Sequence, residues 1–404
     1  MASGPLDGIR VIDFSRFMIG PLCTTILGDM GADVIMIEDP LARSAAAGWY
    51  NQRANDKRRL YGALQRNKRS IFLDLKQPRG REILHKLVKS ADVVVDEFRP
   101  GAMKRLGADY PTLKKLNPRI VACSMSGYGQ TGPYRDIPGF DPNWLAVSGF
   151  LDLYGASNGE YVLPGAPVGD YTCTMFGVVG IMMALYMREK TGKGQFVDIG
   201  AADALTYWVG ARHWPLWLAE GKKPLRGKRC TNLWRTRDGG HMVFSFGMKV
   251  FWDRFVEATG IDKKYLDYWE DRGSGEVVDY LPNAARIKKR IAESNDAVQK
   301  AMLTHTRDEW ARIFKKADVC FSPVYDLAES INDPHLKARG MVVEFKHPSG
   351  KKVIQVGNPI KLSGASSSIR LPAPQGGEHT AAVLKEMGFS AKDIQALSKA
   401  GVTG

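Results

Sequence analysis

Apolar positions along the chain alternate between short unbroken runs and longer segments with helical spacing, and the N-terminal half strings the two in turn. Residues 8–13 form a short buried-strand pattern, Gly20-Pro21 opens a helix over 22–30, and 32–38 reads as a second strand. Proline suits the first turn of a helix, because its missing N–H has no intrahelical partner there anyway. Strand, helix and strand in that order predict a right-handed βαβ unit on a parallel sheet. Strand-like runs at 70–75, 92–96 and 120–125, with helical patterns at 80–89 and 101–106, extend it into a doubly wound α/β domain. The Gly-x-Gly-x-x-Gly dinucleotide fingerprint is absent between the first strand and its helix.

The longest apolar stretch runs from Tyr171 to Met187 and stops at the charged Arg188-Glu189-Lys190. It is shorter than the ~20 residues of a membrane span and holds Gly177 and Gly180, so it predicts a buried helix and no membrane association. The turn-rich residues 164–172 deliver one carboxylate, Asp170, to its first turn. An acidic side chain there caps free backbone N–H groups and complements the helix dipole, or acts as a nucleophile in a dry cleft. The residues alone favour the cap.

Beyond it, 195–199 is a further strand and 201–219 a helix whose Trp208, Trp214 and Trp217 read as core rather than as an acyl-binding surface. The pattern then changes: a basic Pro/Gly stretch at 221–229, a strand-turn-strand at 234–246 around Asp238-Gly239-Gly240, and amphipathic helices through Trp310. A hairpin at 347–353 and one or two amphipathic helices within 378–400 close the chain. The predicted organisation is a large domain over 1–204, a linker over 205–229, a small domain over 230–328, and a return linker and C-terminal segment over 329–404 that completes the large domain.

Composition changes this picture little. With 404 residues, 44% hydrophobic and 25% charged, the chain is an ordinary globular protein of about two domains. Its five cysteines, Cys23, Cys123, Cys173, Cys230 and Cys320, are dispersed, odd in number and without a Cys-x-x-Cys pair. That predicts reduced thiols in a cytoplasmic protein and speaks against a disulfide framework or a zinc site. The N-terminus lacks the basic and apolar regions of a signal peptide. The histidines, His85, His213 and His305 among them, read as packing or surface residues. A net charge of +14, gathered at 221–229, 286–290 and 346–352, comes without a nucleic-acid-binding motif. Each cluster reads first as solvated surface, while scattered cations suit a phosphorylated small molecule better than a nucleic acid.

Residues 5–13 and 31–38, Asn67-Lys68-Arg69-Ser70-Ile71, Phe98-Arg99-Pro100-Gly101, Gly127-Tyr128-Gly129-Gln130-Thr131-Gly132-Pro133, Gly139-Phe140-Asp141, Gly169-Asp170, Glu189-Lys190-Thr191-Gly192-Lys193-Gly194 and Gly377-Glu378-His379-Thr380 follow one another in a recognisable order. Together they resemble the class III (CaiB/BaiF-type, formyl-CoA transferase-like) coenzyme A transferases over nearly the whole chain. The resemblance implies a Rossmann-like large domain with a parallel sheet, a smaller α+β domain, and two chains interlocked as a homodimer, with 221–229 and 329–343 passing across the partner. It also implies that Asp170 is the nucleophile of a transfer of coenzyme A from an acyl-CoA thioester to a carboxylic acid. Coenzyme A is then a substrate, and neither a tightly bound cofactor nor a metal is expected.

Attack needs the ionised carboxylate, so Asp170 is expected without a strongly raised pKa, its charge held by N–H groups at the helix start. By position in the matching motifs, Arg16, Met18, Leu73, Lys76, Phe98, Arg105, Leu106 and Phe140 are the implied coenzyme A contacts, with Trp49 an aromatic near the thioester. Two departures stand out. Residues 228–234 lack the glycine run that some relatives use as a lid. Phe140 stands where the α-methylacyl-CoA racemases of this fold carry histidine, so the alternative reading, an acyl-CoA racemase or isomerase including intramolecular CoA transfer, lacks one of the two acid/base groups that racemisation requires.

Overall fold

The computed structural model describes residues 4–40, 62–154, 160–221, 232–269 and 283–404. Trp49, Cys230 and nearly all of the basic stretch 221–229 lie outside them. Six strands form one parallel sheet: β1 (Arg10–Asp13), β2 (Asp33–Glu38), β3 (Lys68–Phe72), β4 (Val93–Asp96), β5 (Val121–Ser126) and β6 (Phe196–Gly200). β4 and β5 are buried along their whole length, as expected of unbroken apolar runs in a sheet covered on both faces. β3 starts two residues before the expected run, because Lys68 lies inside the sheet, neutralised by Asp13 at 3.0 Å with both side chains fully buried.

The strand order is β3-β2-β1-β4-β5-β6. The chain builds outward from β1 to β3, then restarts at β4 on the other side of β1. A crevice therefore opens beyond the carboxyl ends of β1 and β4, where such sheets bind ligands.

Helices cover both faces. Behind the sheet, α2 (Pro78–Val88), α3 (Ala102–Arg105) and α4 (Tyr110–Leu116) pack with the tail helices α14 (Thr380–Glu386) and α15 (Ala391–Lys399). Ile12, Ile35, Ile71, Leu84 and Leu87 share one core with Val383, Leu384 and Leu397 from the tail. On the other face lie α1 (Ile19–Asp29), α5 (Asp141–Val147) and the 24-residue α7 (Val168–Thr191), which follows the single-turn α6 (Phe150–Leu153). By length and composition α7 could cross a membrane, yet it packs on β5, β6, α1 and α5.

Two compact units result: residues 1–150, 164–209 and 334–404 in one, 151–163 and 210–333 in the other. The second holds the antiparallel sheet β7 (Leu233–Arg235), β8 (His241–Phe244) and β9 (Phe321–Pro323) with α9 (Lys249–Thr259), α10 (Ala284–Met302), α11 (Arg307–Ala317) and α12 (Leu327–Asn332). Its core is aromatic, built on Trp234, Phe244, Trp252, Phe255, Trp310 and Phe314. The first unit also contains α13 (Pro334–Ala338) and the hairpin β10 (Val342–Lys346) and β11 (Lys352–Val356). On α8 (Ala201–Glu220), Trp208, Trp214 and Trp217 are about half exposed instead of forming core. Apolar residues lie all round this helix, and one face cannot bury them all.

Candidate active site

The loops leaving β1 and β4 meet over the crevice. Phe17, Met18 and Ile19 from the first and Glu97, Phe98, Arg99 and Pro100 from the second line a cavity of about 330 Å³. Its remaining walls include Tyr128, Arg135 and Phe140 from the segment between β5 and α5, Trp144 on α5, and Asp170 from the first turn of α7. Phe17, Phe98, Tyr128, Phe140 and Trp144 give it an aromatic share, with Phe17 edge-on to Phe140 at 6.4 Å.

Asp170 reaches the cavity because Pro167 caps the start of α7 and the helix begins at Val168. The free amides of that first turn do not serve Asp170's own carboxylate. Asp141, the first residue of α5, takes them: its Oδ1 accepts from the amide of Gly169 at 2.6 Å and from that of Asp170 at 3.3 Å. Among the described residues the Asp170 carboxylate has neither a hydrogen-bond nor an ion-pair partner. Burial first, then the negative charges of Asp141 and Glu97, push its pKa up from 3.8 to about 7. The expectation of an aspartate held ionised by the helix start is thus corrected: the dipole end is occupied by a second carboxylate, which adds repulsion instead of stabilisation.

Of the residues expected to contact coenzyme A, the fold gathers Met18, Phe98 and Phe140 in the cavity with Asp170. Arg16 lies behind them, its guanidinium 5.4 Å from the centre of the Phe98 ring. The other four lie elsewhere. Leu73 is 2% exposed in the core behind the sheet and Leu106 packs against the same core. Lys76 is exposed and pairs with Asp39 at 3.4 Å, and Arg105 is exposed with its guanidinium over Gly101. Sequence reasoning passed over Asp141, although it ends the Gly-Phe-Asp motif, and over Glu97, Arg99, Arg135 and Trp144. The signal available for Glu97 and Arg99 was their place directly after an apolar strand, where open α/β sheets position ligand-binding groups.

With this geometry in view, the chain can be set beside known proteins. It is 30% identical to a formyl-CoA:oxalate CoA-transferase of Bradyrhizobium diazoefficiens over 98% of this chain and 96% of that one. It is also 30% identical to a succinate–glutarate CoA-transferase of Agrobacterium fabrum over 95% and 96% of the two chains. A crystal structure of a CaiB/BaiF family protein from Brucella suis superposes with a TM-score of 0.78 at 29% identity, covering 96% of this chain and all of that one. Residues 6–380 match the sequence profile of CoA-transferase family III. A match of that extent, on this sheet order and these loops, makes the chain a transferase that belongs to CoA-transferase family III.

Proposed function

We propose that this enzyme moves coenzyme A from an acyl-CoA thioester to a carboxylic acid through covalent intermediates on Asp170. The observation that carries the reading is an unpartnered carboxylate in a largely apolar cavity at the sheet's switch point. The Asp170 carboxylate attacks the thioester carbonyl, the C–S bond breaks, and an aspartyl-acyl anhydride and a CoA thiolate result. The thiolate attacks the aspartyl carbonyl, which expels the donor acid and leaves an aspartyl-CoA thioester. The acceptor carboxylate attacks that thioester and the same two steps run in reverse, so Asp170 returns as a carboxylate and no net proton is exchanged. A pKa near 7 suits the task, since the more basic carboxylate is the better nucleophile while about half of it remains ionised at neutral pH. Arg99 and Arg135 supply positive charge at the cavity for the phosphates of coenzyme A or for the acceptor carboxylate. Phe140 holds no proton to give, which weighs against a racemase.

The test is to trap the intermediate. Acyl-CoA followed by hydroxylamine should convert Asp170, and no other carboxylate, to a hydroxamate seen by peptide mass spectrometry. Turnover with an unmodified Asp170 peptide would sink the mechanism. A homodimer belongs to the same reading: Met175, Val179, Met182, Met183, Tyr186 and Met187 leave a stripe of α7 exposed, and a second copy of the chain is the partner that covers it. Light scattering on the wild type and on Met183→Glu should show a dimer that the charge weakens.

A further inference from the structure

β1 and β4 lie side by side in parallel, with the amide of Phe14 on the carbonyl of Val95 at 2.9 Å, so the loops that follow them run together. Glu97 joins them. One carboxylate oxygen accepts from the amides of Arg16 and Phe17, and the other accepts from the amide of Gly20 at 3.0 Å. Gly20 is the second residue of α1, so these donors are the free N–H groups of a helix start and of the loop that leads to it. Such a concavity binds anions. Here the chain supplies the anion itself. Access to the third amide depends on glycine, because a Cβ on Gly20 would fall 2.1 Å from Ser15 Cβ.

This clamp fixes the wall of the cavity. Phe17, whose amide is clamped, and Met18 and Ile19, which lead on to Gly20, line the cavity together with Asp170. The same loop lays Arg16 on Phe98 and Phe17 on Phe140. We propose that Glu97 is a positioning residue for acyl-CoA at the Asp170 site, locking residues 16–20 into the wall against which the thioester end is held. The proposal rests on reading that cavity as the acyl-CoA site.

Glu97 also acts by charge, while burial raises its own pKa against the pull of the three amides. It is one of two carboxylates that raise Asp170, the other being Asp141 on α5. The remaining charged or titratable groups on that cavity are Arg99, beside Glu97 in its loop, and Tyr128 and Arg135 after β5, with Cys173 buried one turn on from Asp170. Behind Glu97 lie the buried pair Asp13 and Lys68. Removing the Glu97 charge therefore lowers the pH at which Asp170 ionises.

The experiment compares full-length wild type, Glu97→Gln and Glu97→Asp. Calorimetry measures the Kd for free coenzyme A, which needs no chemistry at Asp170, and a carbodiimide label read by mass spectrometry follows Asp170 against pH. Glu97→Gln keeps the shape but turns an N–H toward an amide donor, so Kd should rise about tenfold, the effect of one lost hydrogen bond to a charged group. Its Asp170 labelling midpoint should move to lower pH. Glu97→Asp keeps the charge but is too short to reach all three amides, so it should weaken coenzyme A while holding the wild-type midpoint. Wild-type Kd and midpoint in Glu97→Gln, even with a lower Tm, would overturn the proposal, and so would wild-type Kd in Glu97→Asp if Glu97→Gln does not fold. Wild type that binds no coenzyme A would refute the site reading and this proposal with it. Asp170→Asn that still turns over would refute only the nucleophile, leaving the Kd comparison standing.

Discussion

The carboxylate of Asp141 accepts the backbone N–H of Asp170, and that of Gly169 with it, so the start of α7 stabilises its neighbour's charge instead of its own. Two carboxylates thus share one helix end. Only Asp141 receives the amides, and Asp170 is left in the cavity with its pKa raised to about 7. Asp141 is also raised, through burial, with the two amides pulling against the shift.

Asp141→Asn should separate the two effects. Asparagine keeps an acceptor oxygen for the amides of Gly169 and Asp170, so the helix start should lose only a few tenths of a kcal/mol. The negative charge is gone, and the acid limb of kcat/KM should move to lower pH with the Asp170 carboxyl. Asp141→Ala loses the cap as well and should be destabilised by about 1 kcal/mol. Identical pH profiles for wild type and Asp141→Asn would show that the charge does not reach Asp170.

Stability should report the same carboxyl without any substrate. The folded state binds the Asp170 proton more tightly than the unfolded chain, so between the ordinary value of 3.8 and about 7 the folded state holds more proton. Stability from this group is complete below that window and is lost as pH rises through it. Asp170→Asn cannot ionise and escapes the loss. Its Tm relative to wild type should climb between roughly pH 4 and pH 8, by up to about 5 °C for the ~4 kcal/mol that a rise from 3.8 to about 7 implies. A Tm difference that stays constant with pH would contradict the raised pKa.

The parallel sheet was legible in the sequence because its strands are unbroken apolar runs, and a doubly wound sheet has one place for its ligand. Met18, Phe98 and Phe140 were named from their place in the matching motifs, and the fold puts them on one cavity with Asp170. What stayed hidden depends on pairs distant in sequence. Asp141 and Asp170 are 29 residues apart, and Glu97 reaches back 81 residues to Arg16, so no local pattern announces that either carboxylate takes those amides. Leu73 and Lys76, named in the same way, lie apart from that cavity. Their motif position was right for a loop beyond a strand, but Leu73 turns back into the core and Lys76 finds Asp39.

The Gly194 position of the Thr-Gly-Lys-Gly turn shows what one of the matching motifs does physically. A Cβ there would fall 1.9 Å from the carbonyl oxygen of Ile120 and 2.4 Å from its carbon, both backbone and therefore unable to rotate away. The Gly194 amide donates to the carbonyl of Pro118 at 2.9 Å, which seats the turn against the chain entering β5. Gly194→Ala should therefore cost about 1–3 kcal/mol as an overpacked contact, whereas the exposed Lys193→Ala should stay within about 0.5 kcal/mol. Thermal denaturation of the two variants side by side checks this, and equal Tm values would remove the steric explanation.

Lys68 belongs to a motif that could be taken for a phosphate contact, but its ammonium is fully buried and committed inside the sheet. It donates to Asp13 Oδ2, to the carbonyl of Pro21 and to Gln65 Oε1, each at 3.0 Å, while Thr24 donates to the same Asp13 oxygen at 2.6 Å. Burial lowers the Lys68 pKa and the neighbouring Asp13 opposes that shift. Lys68→Met leaves the buried Asp13 carboxyl without its partner and should cost about 3–5 kcal/mol. Asp13→Asn should cost a similar amount by stranding the ammonium. Removing both charges together, in Asp13→Asn/Lys68→Met, should restore much of the loss, so the double variant should lie well above the sum of the single effects. Urea denaturation of all four proteins reads this directly. Additive losses would mean that the pair is not coupled.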